Sequence, residues 1–433
     1  MVVKNGRVFA PGELKTIDLW IKDGKVAALG GPHRADEKID ARGMIVLPGA
    51  VDVHVHFRDP GYTYKENWES GSLSAAAGGV TTVVDQPNTD PRTLDAQAFR
   101  LKLEIAERHS VVDFCLNGGP GKIEDLLRLG ASAIGEIFAY EHSDPGLRRI
   151  LEEISRLKAL ATLHAEDGVI LREKEDALRD RCDPEVHSLA RPAEAETMAL
   201  EKALAASSRL HVCHLSTEDG LKIVKEARSS GKKVSCEVAP HHLLFDVRDY
   251  REQGTFLKIN PPLRRELDCH ALWEGLMRGE IDLLASDHAP HLPEEKKALI
   301  WDAPPGVPGV ETMLPLMLMA VRRNMLTLER LVDAVSARPA EIFGLAGKGS
   351  LQIGKDADLV LINPRSITKI KADRLHSQAD WTPYEKREAI FPQTTVLRGE
   401  VVYDGDLEAR PGYGRFLPKG LKAKGFIERE TLF

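Results

Sequence analysis

The residues best suited to chemistry stand at the end of one apolar run, His54-Val55-His56 followed by Phe57-Arg58. In a β-strand, side chains two positions apart point to the same face, so both imidazoles would leave the strand end together, as two ligands of one metal ion. Arg58 follows on that face, and its guanidinium can bind a carboxylate through two hydrogen bonds. Histidines at this spacing are also common as an ordinary strand pair, so the interpretation depends on the rest of the chain.

Polar residues of the same kinds recur where other apolar runs end. In chain order they are Asp85 with Asn88, Glu136, His164, His214 and Asp287 with His291. Four histidines and two carboxylates suit a pair of divalent metal ions, zinc before others. Two such ions lower the pKa of a water between them. Asp287 is suited to take the proton of that water and return it to a leaving nitrogen.

The elements that must position these residues lie between residues 49 and 346. There, apolar runs at 51–57, 80–85, 111–116, 133–138, 159–164, 209–214, 233–238 and 281–286 alternate with helical patterns. Most of these runs are apolar throughout, as in parallel strands that are buried on both faces. Eight such units predict an α/β fold, a (β/α)8 TIM barrel, whose functional residues lie at the C-terminal strand ends. The alternative is an open doubly wound sheet, but no GxGxxG motif follows an early strand.

The two ends of the chain resemble each other and differ from the middle. Residues 1–48 and 347–433 contain short β-prone runs separated by turn signals such as Asp23-Gly24 and Arg398-Gly399. We expect both ends to form one small β-sandwich domain, which brings the termini close together. Residues 419–433 are rich in charge and are expected to form a C-terminal tail.

Composition excludes several classes of protein. Of 433 residues, 42% are hydrophobic and 29% charged, and the formal net charge is -7. No Lys/Arg-rich stripe is present, which argues against nucleic acid as a partner. The apolar run Leu314–Val321 is too short to span a bilayer, and the first ten residues do not resemble a signal peptide. The five cysteines lack CxxC spacing, so we expect a reduced, cytoplasmic protein without a membrane partner.

Other polar residues have simpler interpretations. His241 and His242 could be ligands, but we expect them to cap or form hydrogen bonds near the site, and Glu166-Asp167 to begin a helix or support the ligands. The Met313–Met319 stretch is expected to be the buried face of a helix. We expect the histidines without any partner pattern to lie at the surface: His33, His109, His142, His187, His270 and His376.

Taken together, the motifs closely resemble those of the dihydroorotases of the amidohydrolase superfamily, over the whole chain. The matching segments are 48–61 with His54-Val55-His56-Phe57-Arg58, Gln86-Pro87-Asn88-Thr89, His164-Ala165-Glu166-Asp167, Cys213-His214-Leu215-Ser216-Thr217, Asn260-Pro261-Pro262-Leu263-Arg264, 286–291, and the loop 303–312. As a set these motifs are highly specific, although any one alone would not be.

The resemblance implies reversible cyclisation of N-carbamoyl-L-aspartate to L-dihydroorotate in pyrimidine synthesis. It implies two zinc ions, one held by His54 and His56 and the other by His164 and His214. It makes Asp287 a ligand and the general acid/base. The substrate carboxylate would be bound by Arg58, Asn88 and His291, and the ring amides by Asn260 and the Pro305-Gly306 backbone.

One position departs from the family pattern. Related enzymes bridge the two metals with a carboxylated lysine or an aspartate on the fourth strand, but residues 131–140 contain no lysine, and Glu136 stands there. A glutamate reaches less far than a lysine carbamate, so bridging would need the strand or the metals to shift. Our hypothesis is that Glu136 is the bridge. The alternative is that Glu136 only supports the ligands of a partly mononuclear site.

Two other functions compete with the first. An allantoinase or hydantoinase would share the fold and metals, but Arg58, His291 and Asn260 favour an acidic ring. A catalytically inactive scaffold for aspartate transcarbamoylase would lack metal ligands, which are all present here. The sequence leaves open whether the chain forms a homo-oligomer and whether it associates with aspartate transcarbamoylase. We expect the segment Leu292–Gly309 to cover the site.

Overall fold

The computed structural model describes residues 1–10, 12–31, 35 and 37–419. Apart from Lys419, the predicted C-terminal tail lies outside the described residues. Among the described residues, no helix combines the length and the apolar character needed to cross a membrane.

The strands of the described residues are β1 (Val2–Lys4), β2 (Arg7–Ala10), β3 (Glu13–Thr16), β4 (Leu19–Lys22), β5 (Lys25–Leu29), β6 (Lys38–Asp40), β7 (Ile45–Pro48), β8 (Ala50–Val55), β9 (Val80–Asp85), β10 (Asp113–Leu116), β11 (Ile134–Phe138), β12 (Ala161–His164), β13 (Arg209–Val212), β14 (Lys233–Val238), β15 (Leu283–Leu284), β16 (Leu359–Ile362), β17 (Thr368–Lys369), β18 (Glu388–Ala389), β19 (Thr394–Leu397) and β20 (Glu400–Tyr403).

The α-helices of the same residues are α1 (Trp68–Ala77), α2 (Ala96–His109), α3 (Ile123–Arg128), α4 (Asp144–Arg156), α5 (Gly168–Leu178), α6 (Val186–Ala190), α7 (Ala193–Ala206), α8 (Glu218–Ser229), α9 (Pro240–Leu244), α10 (Tyr250–Gln253), α11 (Glu266–Met277), α12 (Pro293–Lys296), α13 (Met313–Arg322), α14 (Leu328–Val332) and α15 (Arg338–Phe343). The expected buried face of Met313–Met319 is confirmed, because all seven residues of that stretch are buried in α13.

The middle of the chain is built from parallel strands that neighbour each other in chain order. One parallel sheet has the order β10-β9-β8 and another the order β11-β12-β13-β14-β15. Parallel bridges from Gly118 to Ile134 and from Val55 to His288 join the two sheets at both edges. The strands therefore follow one another in a closed cycle, as an α/β barrel requires. Each of the eight expected strand regions overlaps one of these strands.

The parallel strands read as apolar because both of their faces are covered. Every residue of β8, β9, β10 and β12 is buried. Just beyond the C-terminal end of β8, the rings of Phe57 and Trp68 meet edge to face with their centroids 5.1 Å apart. Trp68 also packs against Phe114. Burying each such side chain stabilises the fold by about 1.5–3 kcal/mol, which keeps the strand ends in place.

The two chain ends share one sheet. β7 pairs antiparallel with β16, from Ile45 opposite Ile362 to Pro48 opposite Leu359. This sheet has the order β20-β19-β16-β7-β2-β3, and a second one has the order β5-β4-β1-β6. Val3, Leu19, Val46 and Leu361 belong to a core separate from that of the parallel strands. The expected association of the two ends is therefore present.

Candidate metal centre and active site

The polar strand ends converge on one cleft. His54 lies in β8 with His56 just beyond it, His164 ends β12, His214 follows β13, and Asp287 follows β15. Parallel strands place their C-terminal ends at the same side of the sheet, so residues distant in sequence become neighbours there. Nε2 of His54 lies 3.5 Å from Oδ1 of Asp287, and Nε2 of His56 lies 3.3 Å from the same oxygen.

Glu136 stands between two pairs of histidines. Its Oε1 lies 2.7 Å from Nε2 of His214 and 3.1 Å from Nδ1 of His164. Its Oε2 lies 3.4 Å from Nε2 of His54 and 3.9 Å from Nε2 of His56. One carboxylate therefore presents a separate oxygen to each pair, which is the arrangement that a bridging ligand needs.

An irregularity in β11 brings Glu136 to this position. Ile134 pairs with Ala161 and Ile137 with Leu163, so three steps along β11 match two along β12. Such a bulge inserts one residue and changes the direction of the neighbouring side chains. Gly135 has a φ of +143°, and a Cβ there would lie 2.3 Å from the backbone oxygen of Thr162. The turn of the backbone thus requires glycine directly before Glu136.

The side chains fit a metal centre on their own geometry. Ligands about 2.0–2.1 Å from one tetrahedral ion lie about 3.3 Å from each other. Nε2 of His54 lies 3.4 Å from Oε2 of Glu136 and 3.5 Å from Oδ1 of Asp287, and Nε2 of His56 lies 3.3 Å from Oδ1 of Asp287. These three separations match that spacing. Nε2 of His54 is buried without a hydrogen-bond partner among the described residues, as a nitrogen reserved for a metal would be.

Carboxylates behind the histidines orient the rings. Nδ1 of His54 lies 2.5 Å from Oε1 of Glu237, and Nε2 of His164 lies 2.6 Å from Oε2 of Glu166. Each of these bonds leaves the other ring nitrogen for the centre. Asp167 caps α5 by accepting from the backbone N–H groups of Val169 and Ile170, so the expectation of a supporting and helix-starting pair is confirmed.

The backbone of the site contains strained positions. Arg58, His214 and Asp287 have φ values of +62°, +30° and +48°. Residues other than glycine seldom adopt this left-handed region, and those that do cluster at functional sites. Burial opposes ionisation of Asp287, but the bond to His56 and the charges of His54 and His214 hold the pKa of its carboxyl below the ordinary value.

The cleft beside the histidines is lined by the other residues that the motifs selected. It has a volume of about 570 Å³, which is typical of a small-molecule site, and its lining includes Arg58, Asn88, Asn260, His291, Pro305 and Gly306. Nη2 of Arg58 lies 3.0 Å from Nε2 of His291. Oδ1 of Asn88 lies 2.7 Å from Nδ1 of His56, which leaves the amide N–H₂ group of Asn88 for a ligand.

The expectation for His187 is wrong. This residue is buried, and its Nε2 lies 2.9 Å from the backbone oxygen of Ile259 and 3.0 Å from Oδ1 of Asn260. Burial and the charges of Arg191 and Lys258 lower the pKa of His187 to about 3, so the ring is neutral and donates one hydrogen bond. No short motif surrounds His187, and the fold brings it to Asn260 across more than seventy residues. His33 lies outside the described residues.

Sequence reasoning missed Glu237, although a signal was present. It is an acidic residue in an otherwise β-prone run, and in β14 it is buried. A buried carboxylate needs a partner, so its type and position indicate a supporting role. Nε2 of His242 lies 3.0 Å from the backbone oxygen of Pro261, which confirms the expected hydrogen bond near the site. The same expectation is wrong for His241, because both of its ring nitrogens are buried without a hydrogen-bond partner among the described residues.

Comparison with known proteins agrees with this geometry. The model of the amidohydrolase family matches residues 45–402. The chain belongs to the amidohydrolase family. It is 45% identical to a dihydroorotase of Methanosarcina mazei, with 99% of each chain covered. It is 34% identical to an allantoinase of Salmonella choleraesuis, with 93% of this chain and 95% of the relative covered.

The fold is also that of a solved hydantoinase. An L-hydantoinase (dihydropyrimidinase) from Arthrobacter aurescens superposes with a TM-score of 0.91 at 33% identity, covering 96% of this chain and 99% of the other. The alternative architecture, an open doubly wound sheet, is therefore excluded both by the closed cycle of parallel strands and by this similarity.

Proposed function

We propose that this amidohydrolase is a dihydroorotase, which reversibly closes N-carbamoyl-L-aspartate to L-dihydroorotate for pyrimidine synthesis. The observation that carries the proposal is that Arg58 and His291 face the same cleft as the cluster of histidines and carboxylates. A cyclic amide with a carboxylate needs both an anion-binding group and a centre that polarises its carbonyl. The name and the 45% identity of the Methanosarcina relative support the same activity.

The residues of the centre would hold two divalent metal ions, which we assign as zinc because imidazole and carboxylate oxygen suit it. His54, His56 and Asp287 would hold one ion, His164 and His214 would hold the other, and Glu136 would serve both. Bound there, the ions would polarise the scissile carbonyl and activate the attacking water. During ring opening, Asp287 takes up the proton of the attacking water and then donates it to the leaving nitrogen of the ring.

The remaining residues of the cleft bind and orient the substrate. Arg58, the amide of Asn88 and His291 receive the substrate carboxylate through charge-assisted hydrogen bonds. Asn260 and the backbone of Pro305 and Gly306 bind the ring amides. Fixing the ring at both ends places its carbonyl at the centre and removes the cost of orienting it during the reaction.

The proposal includes the organisation of the chain. Residues 49–346 form the (β/α)8 barrel, and the described parts of residues 1–48 and 347–419 form the β-sandwich domain. A cytoplasmic location suits the cysteines, none of which is in a disulfide among the described residues. A homo-oligomer and an association with aspartate transcarbamoylase stay open predictions.

Ring opening of L-dihydroorotate tests the function directly, through the loss of ultraviolet absorbance. We expect turnover by the zinc-supplemented protein, its loss after removal of metal, and its return with zinc. Turnover of allantoin or a hydantoin but not of dihydroorotate would assign the alternative activity. A protein that binds metal and turns over none of these substrates would support the scaffold role.

A further inference from the structure

Lys65 contacts the anion-binding end of the cleft, although no motif selected it. Its Nζ lies 3.1 Å from Nδ1 of His291 and 2.8 Å from Oε1 of Glu295. The side chain is only 12% exposed, and Lys65 lines the same cleft as Arg58 and His291. The ammonium group therefore has a fixed position beside a histidine that faces the ligand space.

The neighbours of His291 determine which of its nitrogens bears the hydrogen. Nε2 lies 3.0 Å from the backbone oxygen of Pro305 and 3.0 Å from Nη2 of Arg58. Lysine and arginine can only donate, and a neutral imidazole has one N–H group. Among the described residues, the Pro305 oxygen is the acceptor within hydrogen-bond distance of the ring. Nε2 therefore bears the hydrogen and donates it to that oxygen, so its contact with Nη2 of Arg58 is not a hydrogen bond, and Nδ1 accepts a hydrogen bond from Lys65.

The ring is also held in its neutral form. Burial lowers the pKa of His291 far below its ordinary value, and the charges of Arg58, Lys65 and Lys296 lower it further. Glu295 is the acidic group that faces the ring, with Oε2 3.8 Å from Nδ1, and its Oε1 is bonded to Lys65. A neutral ring with its hydrogen at Nε2 places a second donor beside the guanidinium of Arg58.

We propose that Lys65 is a positioning residue that holds His291 as the Nε2–H tautomer, so that the hydrogen donated to the Pro305 oxygen in the free protein can be shared between that oxygen and the carboxylate of the substrate. The other tautomer would direct a lone pair of Nε2 at that carboxylate, which is repulsive. The identity of the anion rests on the proposed function. The tautomer itself does not, because the contacts that select it belong to the protein alone.

Kinetics of variants test this role. Lys65→Met removes the donor, Lys65→Arg retains one, and Glu295→Gln removes the ion pair while leaving Lys65 in place. We expect Lys65→Met to raise KM for dihydroorotate about tenfold or more near pH 8.5, with a smaller change in kcat, since a charge-assisted bond is involved. For Lys65→Arg and Glu295→Gln, KM should stay within about threefold of the value of the unmodified enzyme, because both variants keep a cation that donates to Nδ1 of His291.

The pH dependence separates loss of the tautomer from a change in the charge of the ring. In Lys65→Met, burial and the charges of Arg58 and Lys296 still hold the pKa of His291 below its ordinary value, so the ring stays neutral. The ratio of KM between Lys65→Met and the unmodified enzyme should therefore stay constant between about pH 6 and about pH 8.5. A ratio that changes with pH, or equal losses in Lys65→Met and Glu295→Gln, would overturn the proposal.

Nuclear magnetic resonance supplies a readout that does not depend on turnover. In protein with ¹⁵N-labelled histidine and bound zinc, the His291 signals, assigned by their loss in His291→Asn, should show Nε2 as the protonated nitrogen. Protonation at Nδ1 would contradict the role of Lys65 even in an active enzyme. Protonation at Nε2 in a protein that does not open dihydroorotate would refute the proposed function and leave the role of Lys65 standing.

Discussion

Oε1 of Glu136 lies 2.7 Å from Nε2 of His214, on the side of the carboxylate opposite to the oxygen that faces His54. A glutamate at this place was in question because it reaches less far than the carboxylated lysine of related enzymes. The bulge in β11 adds one residue before the paired position of Ile137, and Glu136 stands within that bulge with each of its oxygens facing a different pair of histidines.

Substitution of Glu136 by alanine should lower the metal content from two ions per subunit to about one, because each histidine pair loses an oxygen that it shares with the other. Metal analysis of the purified protein after dialysis measures the change. Glu104→Ala, in an exposed position of α2, is the control that should retain both ions. Two ions retained by Glu136→Ala would refute the bridge.

Substitution of Glu237 by glutamine should weaken metal binding by about 10–100-fold, as expected when a partner of a ligating histidine is lost. Glu237 lies 2.5 Å from Nδ1 of His54 and 2.9 Å from Nε2 of His211, so its charge orients the first histidine. Metal release to a chelator measures the affinity, and Glu226→Gln on the exposed face of α8 is the matched control. Equal release from both variants would show that Glu237 does not tune the centre.

Substitution of Lys296 by methionine should raise KM and lower the melting temperature. The buried Nζ donates to the backbone oxygens of Lys258, Pro304 and Gly306 at 2.9, 2.9 and 3.0 Å, and so ties together the two segments that flank Asn260 and Pro305. Each carbonyl left without a partner costs about 1–3 kcal/mol. Lys297→Met, one position further and exposed, should change neither quantity. A normal KM in a destabilised Lys296→Met would limit this lysine to stability.

Acid should destabilise the protein partly through His187. Its pKa is lowered to about 3 in the folded protein, so its contribution to stability is complete above the ordinary value of 6.5 and is lost as the pH falls from there towards 3. Below pH 6.5 the unfolded chain binds a proton that the folded protein does not, which costs up to about 1.4 kcal/mol per pH unit.

The variant His187→Gln tests this dependence, since glutamine can still donate to Asn260 but does not titrate. The free energy of unfolding, measured with denaturant at pH 7 and pH 5, should fall less in His187→Gln than in the unmodified protein. His270→Gln, at an exposed position of α11, should follow the unmodified protein. Parallel losses in all three proteins would show that His187 is not responsible.

Much of the fold could be predicted because it depends on local rules. Apolar runs such as β9 and β10 are recognisable since parallel strands are buried on both faces, and their alternation with helices predicts the barrel. Alternation also places His54 and His56 on one side of β8. His187 was placed wrongly because nothing local distinguishes a surface histidine from one buried against Asn260.

The sequence by itself determined which side chains stand at the strand ends, because strand periodicity and the order of the elements are properties of the chain. Only the tertiary structure decided which oxygen of Glu136 faces which histidines, because that depends on the register of β11 against β12. It likewise decided that Lys65 meets His291, 226 positions away. Contacts over such distances are set by how the whole barrel closes, and no short stretch of sequence encodes them.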